Sequence, residues 1–173
     1  MSTVNGRSLI EAGPIANMLE VKERLHGVSH GLTEAGYDIR LKQAIKFSRS
    51  VGGRPMVEVD DAYGQAVHTA RGRFVIASAM ERFTMPDDLV GVVHDKSTWA
   101  RQGVSVFNTV IEPGWQGFLT LEIVFHSETE VIIPAGAGIA QVLFSRVENH
   151  AKYAGKYQDQ ADEPVSAILE SSS

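Results

Sequence analysis

The chain of 173 residues is acidic, with 21 Asp and Glu against 16 Lys and Arg and a formal net charge of −5. This length suits a single domain, and a hydrophobic fraction of 43% allows a sizeable core. A protein that binds nucleic acid along its surface carries a basic surplus, so the composition argues against that class of partner. The absence of cysteine excludes disulfides, thiolate zinc sites and a cysteine nucleophile.

The distribution of apolar residues indicates a soluble protein. The first 13 residues are polar and lack the apolar stretch of a signal peptide. The most apolar stretch, residues 131–144, contains Pro134 and is too short to span a bilayer. We therefore expect a cytoplasmic protein without a membrane partner.

The first predicted element is a helix over residues 14–25. Pro14 suits a first helical position, and apolar side chains from Ile15 to Leu25 recur on one helical face. Gly27 suits the end of such a helix. A loop is expected over residues 31–36.

From residue 37 onward the chain has the pattern of short strands between turns. Within residues 119–125 apolar side chains alternate with others, so Thr120 and Glu122 are expected on the face opposite the core. Many short strands at a spacing of about ten residues indicate a mainly β fold, either a β-sandwich, a jelly roll or a distorted barrel. From Tyr153 the chain is polar and resembles a tail. The expected strands are residues 73–79, 89–94, 103–107, 119–125, 131–133 and 138–144.

The segment 94–101, HDKSTWAR, combines fixed positive charge with hydroxyl groups. Lys96 and Arg101 are cations, and Ser97 and Thr98 offer hydroxyl and backbone donors. Phosphate sites use this mixture of groups. The same residues are also typical of a solvated loop with a helix cap, so both interpretations remain open.

Three further segments carry polar side chains with two interpretations each. Glu122 is either a solvated strand residue or a general base in a pocket. Residues 153–160, YAGKYQDQ, form either a polar tail or a lid over a ligand. In residues 35–41, AGYDIRL, Asp38 and Arg40 lie on one side of a strand and either pair structurally or orient a site.

Several common catalytic classes lack their sequence patterns here. A zinc deaminase needs a Pro-Cys-x-x-Cys run, which a cysteine-free chain cannot supply. The phosphate loops GxxxxGK[ST] and GxGxxG and the nucleophile elbow GxSxG are also missing from the sequence.

Taken in order, five segments resemble the dCTP deaminase branch of the trimeric dUTPase-like superfamily. The resemblance implies one domain with a distorted β-barrel or jelly-roll fold, assembled as a homotrimer with active sites shared between subunits. It further implies a short N-terminal helical extension in residues 1–30 and a tail or lid in residues 153–173. The segments are AGYDIRL (35–41), DKSTWARQGV (95–104), IEPGWQGFLTLEI (111–123), PAGAGIAQVLF (134–144) and YAGKYQDQ (153–160).

The same resemblance implies a role for individual residues, with Glu122 as the catalytic general base. The residues implied to bind the triphosphate are Lys96, Ser97, Thr98, Arg101, Tyr153, Lys156 and Gln160. The residues implied to contact the sugar or base are Thr109, Val110, Ile111, Glu112, Thr120, Leu121 and Gln141.

The implied reaction is zinc-independent hydrolysis of dCTP to dUTP and ammonia. Mg²⁺ is expected on the triphosphate oxygens rather than on protein side chains. The second alternative is an enzyme that cleaves the triphosphate of dUTP or dCTP, alone or after deamination. A third alternative is a catalytically silent jelly-roll module that binds nucleotides.

Overall fold

The computed structural model describes residues 2–61 and 66–169, and strands dominate it. The helices in these ranges are α1 (Gly6–Ala12) and α2 (Ser97–Ala100), and neither is long and apolar enough to cross a membrane. The strands are β1 (Thr3–Val4), β2 (Lys22–Leu25), β3 (Val28–Leu32), β4 (Tyr37–Arg40), β5 (Ala44–Arg49), β6 (Pro55–Asp60), β7 (Ala66–Arg71), β8 (Phe74–Thr84), β9 (Leu89–Asp95), β10 (Val104–Val106), β11 (Val110–Ile111), β12 (Gln116–Phe125), β13 (Val131–Ile133) and β14 (Gly138–Arg146).

The described strands form three antiparallel sheets. The largest has the order β11-β9-β14-β4-β3-β2, with β1 also paired to β14. The second has the order β10-β12-β8, and the third β13-β5-β6-β7. The predicted mainly β fold is confirmed. The expected barrel is not, because none of the three sheets in the described part of the chain closes on itself.

The core lies where the inner faces of these sheets meet. The ring of Phe47 in β5 stacks on that of Phe125 in β12, with centroids 5.2 Å apart. Phe83 in β8 packs against Trp115, with centroids 6.2 Å apart. Such ring pairs contribute about 0.5–1.5 kcal/mol each beyond their buried area. These contacts fix the three-stranded sheet against its neighbours.

Strand β12 shows the alternation predicted for it. Leu119, Leu121, Ile123 and Phe125 are buried in the core. Thr120 and Glu122 lie on the opposite face and are half-buried. Because β8 and β10 pair with the two edges of β12, that outer face is held in a fixed register.

The predicted helix over residues 14–25 is wrong. Helix α1 precedes it and ends at Gly13, whose φ of 59° is the left-handed conformation that terminates helices. Ile15 then pairs as an extended residue with Phe83 of β8, where it is buried. The apolar residues of this segment therefore meet the core from an extended chain, and no helical face is needed.

Gly27 ends no helix; it lies in a tight hairpin turn between β2 and β3. His26 and Gly27 both have positive φ, 53° and 76°, as expected for a two-residue hairpin turn of the mirror-image type. The loop expected over residues 31–36 begins later, because β3 extends to Leu32.

The C-terminal segment packs along β12 as far as it is described. Gln160 forms a parallel bridge with Gly117, and the Phe118 N–H donates to the Gln160 carbonyl oxygen at 3.1 Å. A Cβ at Gly117 would lie 2.6 Å from the Gln160 nitrogen, so this approach requires glycine. Residues 170–173 of the expected tail lie outside the described residues.

Candidate active site

A pocket of about 330 Å³ opens beside the outer face of β12. It brings together residues from two separate stretches of the sequence, 109–122 and 153–165. Those predicted as site residues are Thr109, Val110, Ile111, Glu112, Thr120, Glu122, Tyr153 and Gln160. Those that were not predicted are Trp115, Leu119, Tyr157 and Val165.

Glu122 is a half-buried carboxyl in the wall of this pocket. Its Oε2 atom is buried and has no hydrogen-bond partner among the described residues. Burial raises the pKa of the Glu122 carboxyl above its usual range. A buried acceptor without a partner costs free energy, so this oxygen is available to a water or substrate donor. A carboxyl with a raised pKa is suited to accept a proton and return it.

Aromatic side chains from the C-terminal segment close one side of the pocket. The Trp115 Nε1–H donates to the Tyr157 carbonyl oxygen at 2.6 Å. The Tyr153 hydroxyl accepts from the Tyr157 N–H at 3.3 Å. These bonds hold residues 153–157 against the turn that precedes β12.

The segment with the predicted phosphate ligands lies outside this pocket. Ser97 and Thr98 begin helix α2, and both are exposed. The Trp99 Nε1–H donates to the Gly138 carbonyl oxygen at 2.7 Å, which anchors the helix to β14. Arg101 follows as an exposed residue without a side-chain hydrogen bond or ion pair to the described residues. It is therefore available to an anion.

Lys96, in contrast, takes part in a buried polar network. Its ammonium pairs with Asp38, whose side chain is only 3% exposed, and donates to the Ser29 hydroxyl at 3.0 Å. Gln141 completes the network, donating to Asp38 at 3.2 Å and to Thr33 at 3.1 Å. Lys96 and Gln141 thus lie together, away from the pocket that contains Glu122.

Two other predicted residues also lie outside the pocket. Leu121 is fully buried on the core face of β12, so its side chain points away from Glu122. Lys156 lies with its ammonium 5.4 Å from the Tyr157 ring centroid. Within one chain, the pocket therefore contains the residues predicted to contact the sugar or base except Leu121 and Gln141, and none of the predicted cations.

The aromatic pocket residues that the prediction missed lie inside the segments it singled out. Trp115 is in IEPGWQGFLTLEI, and Tyr157 is in YAGKYQDQ. Aromatic side chains beside a proposed nucleotide site are a usable signal, since they pack against bases. Val165 follows a stretch without any motif, and no pattern in the sequence pointed to it. Within residues 2–61 and 66–169, no three His, Asp or Glu side chains group closely enough to hold a metal ion.

Comparison with known families identifies the chain. A family described as dCTP deaminase-like matches residues 12–147. The chain belongs to this family. A dCTP deaminase of Campylobacter hominis is 34% identical over 173 residues, covering 93% of this chain and 91% of its own. A dCTP deaminase of Campylobacter fetus is 36% identical over 154 residues, covering 82% and 83%.

Solved structures place this dCTP deaminase-like protein in the dUTPase-like fold. The native EIAV dUTPase aligns with a TM-score of 0.51 at 15% identity, covering 81% of this chain and 93% of its own. A mutant dUTPase from phage phi11 of S. aureus aligns with a TM-score of 0.52 at 13% identity, covering 82% and 95%. At such identities the likeness concerns the fold alone, and it confirms the dUTPase-like fold that the sequence predicted.

Proposed function

We propose that the protein hydrolyses dCTP to dUTP and ammonia, with Glu122 transferring the protons. The observation that carries the proposal is the buried Oε2 of Glu122, which has no partner among the described residues and lies in a pocket that also contains five of the seven residues predicted to contact the sugar or base. Membership of the dCTP deaminase-like family supports the choice of substrate.

The proposed reaction needs one carboxylate and one water. Glu122 accepts a proton from water as the oxygen attacks C4 of cytosine. Protonated Glu122 then donates that proton to the exocyclic nitrogen, the C4–N bond breaks, and ammonia leaves. The second proton of the water moves from the C4 hydroxyl to N3, which leaves the C4 carbonyl of the product dUTP. The raised pKa of Glu122 favours the first of these proton transfers, since a more acidic carboxyl would be a weaker general base.

The triphosphate is proposed to be bound by a second subunit of a homotrimer. Ser97, Thr98 and Arg101 are exposed and lie outside the pocket of their own chain. Beside the pocket, Phe74, Phe107 and Val110 are 49%, 52% and 56% exposed. Large apolar side chains exposed next to one another are typical of a subunit contact. In a closed trimer, the α2 segment of one subunit would reach the pocket of the next.

Mg²⁺ belongs to the nucleotide in this proposal. The described residues offer no cluster of carboxylates or imidazoles for it, so phosphate oxygens would be its ligands. Bound there, it would neutralise phosphate charge. The proposed reaction is independent of zinc because the cysteine-free chain lacks the ligand run of zinc deaminases. A free nucleotide as substrate also agrees with the expectation of a cytoplasmic protein without nucleic-acid or membrane partners.

Product analysis tests the proposal. The protein is incubated with dCTP and Mg²⁺, and nucleotides, ammonia and pyrophosphate are measured separately. We expect ammonia and dUTP in equal amounts. Pyrophosphate with dCMP and no ammonia would overturn the proposal in favour of a pyrophosphatase, and ammonia with dUMP and pyrophosphate would identify a bifunctional enzyme.

A further inference from the structure

We propose that the Thr120 hydroxyl holds the C-terminal segment closed over the pocket, which makes Thr120 a positioning residue. The segment concerned is residues 160–165, called the closing loop below. The expected effect on catalysis rests on the proposed function, whereas the expected effect on the loop does not.

Two hydrogen bonds from the closing loop meet on one oxygen atom. Gln160 donates its Nε2–H to Thr120 Oγ1 at 2.6 Å. The Val165 N–H donates to the same oxygen at 2.9 Å. A hydroxyl oxygen has two lone pairs, so these donors use its acceptor capacity fully. The closing loop therefore begins and ends on a single side chain of β12.

The position of Thr120 connects this loop to the reactive carboxyl. Thr120 and Glu122 are two residues apart on β12 and face the same side of the sheet. Gln160 and Val165 line the pocket together with Glu122. The closing loop consequently forms part of the pocket wall, and its release would widen the pocket to solvent.

The other contacts of the closing loop lie at its first residue and in its middle, not at its end. Backbone bonds to Gly117 and Phe118 hold its first residue, Gln160. In its middle, Asp162 pairs with Lys42 at 2.6 Å, and the Asp162 side chain is 49% exposed. Solvent-exposed pairs of this kind contribute little. The bond between Val165 and Thr120 is thus what returns the end of the loop to β12.

The test compares Thr120→Val, which keeps the shape of the side chain but has no acceptor, with Thr120→Ser, which keeps the acceptor. Thr69→Val on β7, an exposed position outside the pocket, is the matched control. Amide hydrogen exchange of residues 160–165 is measured for each variant in the absence of nucleotide. The KM and kcat for dCTP are then measured, and thermal unfolding shows that each variant is folded.

Loss of two hydrogen bonds is expected to speed exchange at Val165 about tenfold or more in Thr120→Val. Thr120→Ser should retain the slow exchange, and Thr69→Val should exchange as the wild type does. For Thr120→Val we also expect KM to rise about tenfold with a smaller change in kcat, because an open loop binds substrate less tightly.

Exchange at Val165 that is equal in Thr120→Val and the wild type would overturn the proposal. A Thr120→Ser variant that exchanges as fast as Thr120→Val would also overturn it, since the acceptor would then be irrelevant. The exchange result is independent of turnover. A wild-type protein that protects the loop but does not deaminate dCTP would refute only the proposed function.

Discussion

At the scale of single residues, burial of the Glu122 carboxyl both lowers the stability of the fold and suits the residue to its proposed role as a general base. Its Oε2 is buried without a partner, and burial raises the pKa of the carboxyl. A solvated carboxylate would cost the fold less free energy, but it would be a weaker general base. Burial of Glu122 therefore lowers stability and favours proton transfer, and both effects can be measured.

Glu122→Gln is expected to abolish turnover and to leave dCTP binding largely intact. Glutamine keeps the size of the side chain but cannot accept the proton from water. Deamination is measured by ammonia release, and binding by calorimetry. Glu20→Gln, at an exposed position, is the matched control. Normal turnover by Glu122→Gln would show that another group is the base.

The same variant is expected to unfold at a higher temperature than the wild type at neutral pH. Because folding raises the pKa of Glu122, its stabilising contribution is present below the unfolded-state pKa and is lost as pH rises through the folded-state pKa. At neutral pH the ionised carboxyl of Glu122 thus destabilises the fold, and glutamine removes this penalty. Unfolding temperatures of both proteins across the acid range test this. If the difference in unfolding temperature between Glu122→Gln and the wild type did not shrink as the pH falls, the prediction would be contradicted.

At the scale of elements, how well a segment was predicted depended on where its contacts lie. The alternation of β12 was predicted because a strand with one buried face shows its period in its own residues. Residues 14–25 misled because Ile15 is buried by pairing with Phe83, which is far away in sequence. Apolar spacing records that a side chain is buried, and over so few residues it does not distinguish a helix from an extended chain.

Leu121→Ala is expected to lower the free energy of unfolding by about 2–5 kcal/mol, as for other buried leucines. The sequence placed Leu121 among the base contacts, whereas its side chain is fully buried in the core. Denaturant unfolding measures the loss, and the KM for dCTP tests the other role. If KM rose strongly while stability stayed unchanged, the side chain would have to contact the substrate.

The candidate site was predictable to a similar degree. The sequence supplied most of the pocket, because its residues lie in segments with recognisable spacing. The pairing of Lys96 with Asp38 could not be predicted, because it joins the residue after β9 to β4, and these strands lie on either side of β14 in the largest sheet. The sequence also could not indicate that Val165 would line the pocket, since a backbone N–H donor has no side-chain signature.

At the scale of the whole molecule, one chain presents two incomplete halves of the proposed site. The pocket contains Glu122, while Arg101 lies exposed outside it. Arg101→Ala is expected to weaken dCTP binding by about 1.5–3 kcal/mol, the worth of a set of charged hydrogen bonds. Deoxycytidine, which lacks phosphates, should bind both proteins equally. Unchanged affinity for dCTP would remove Arg101 from the site.

If the two halves meet only between subunits, Glu122→Gln and Arg101→Ala should restore activity together at a dCTP concentration too low for either variant alone to turn over. A Glu122→Gln subunit still has Arg101, and an Arg101→Ala subunit still has Glu122. A mixed trimer therefore contains an intact site where these two residues meet. A mixed trimer has about one third of its sites intact, because an intact site needs Glu122 from one subunit and Arg101 from its neighbour on one particular side. Co-expression with two different tags isolates the mixed trimers, and light scattering should give three chains per particle.

The control for this experiment co-expresses Glu122→Gln with the double variant Glu122→Gln/Arg101→Ala, which has no intact Glu122 and should stay inactive. Recovery near one third of the wild-type rate in the isolated mixed trimers would mean that Glu122 and Arg101 act from different subunits. Mixed trimers that stay as inactive as their parents would mean that both residues act within one chain. In that case α2 would have to move toward the pocket of its own subunit when dCTP binds.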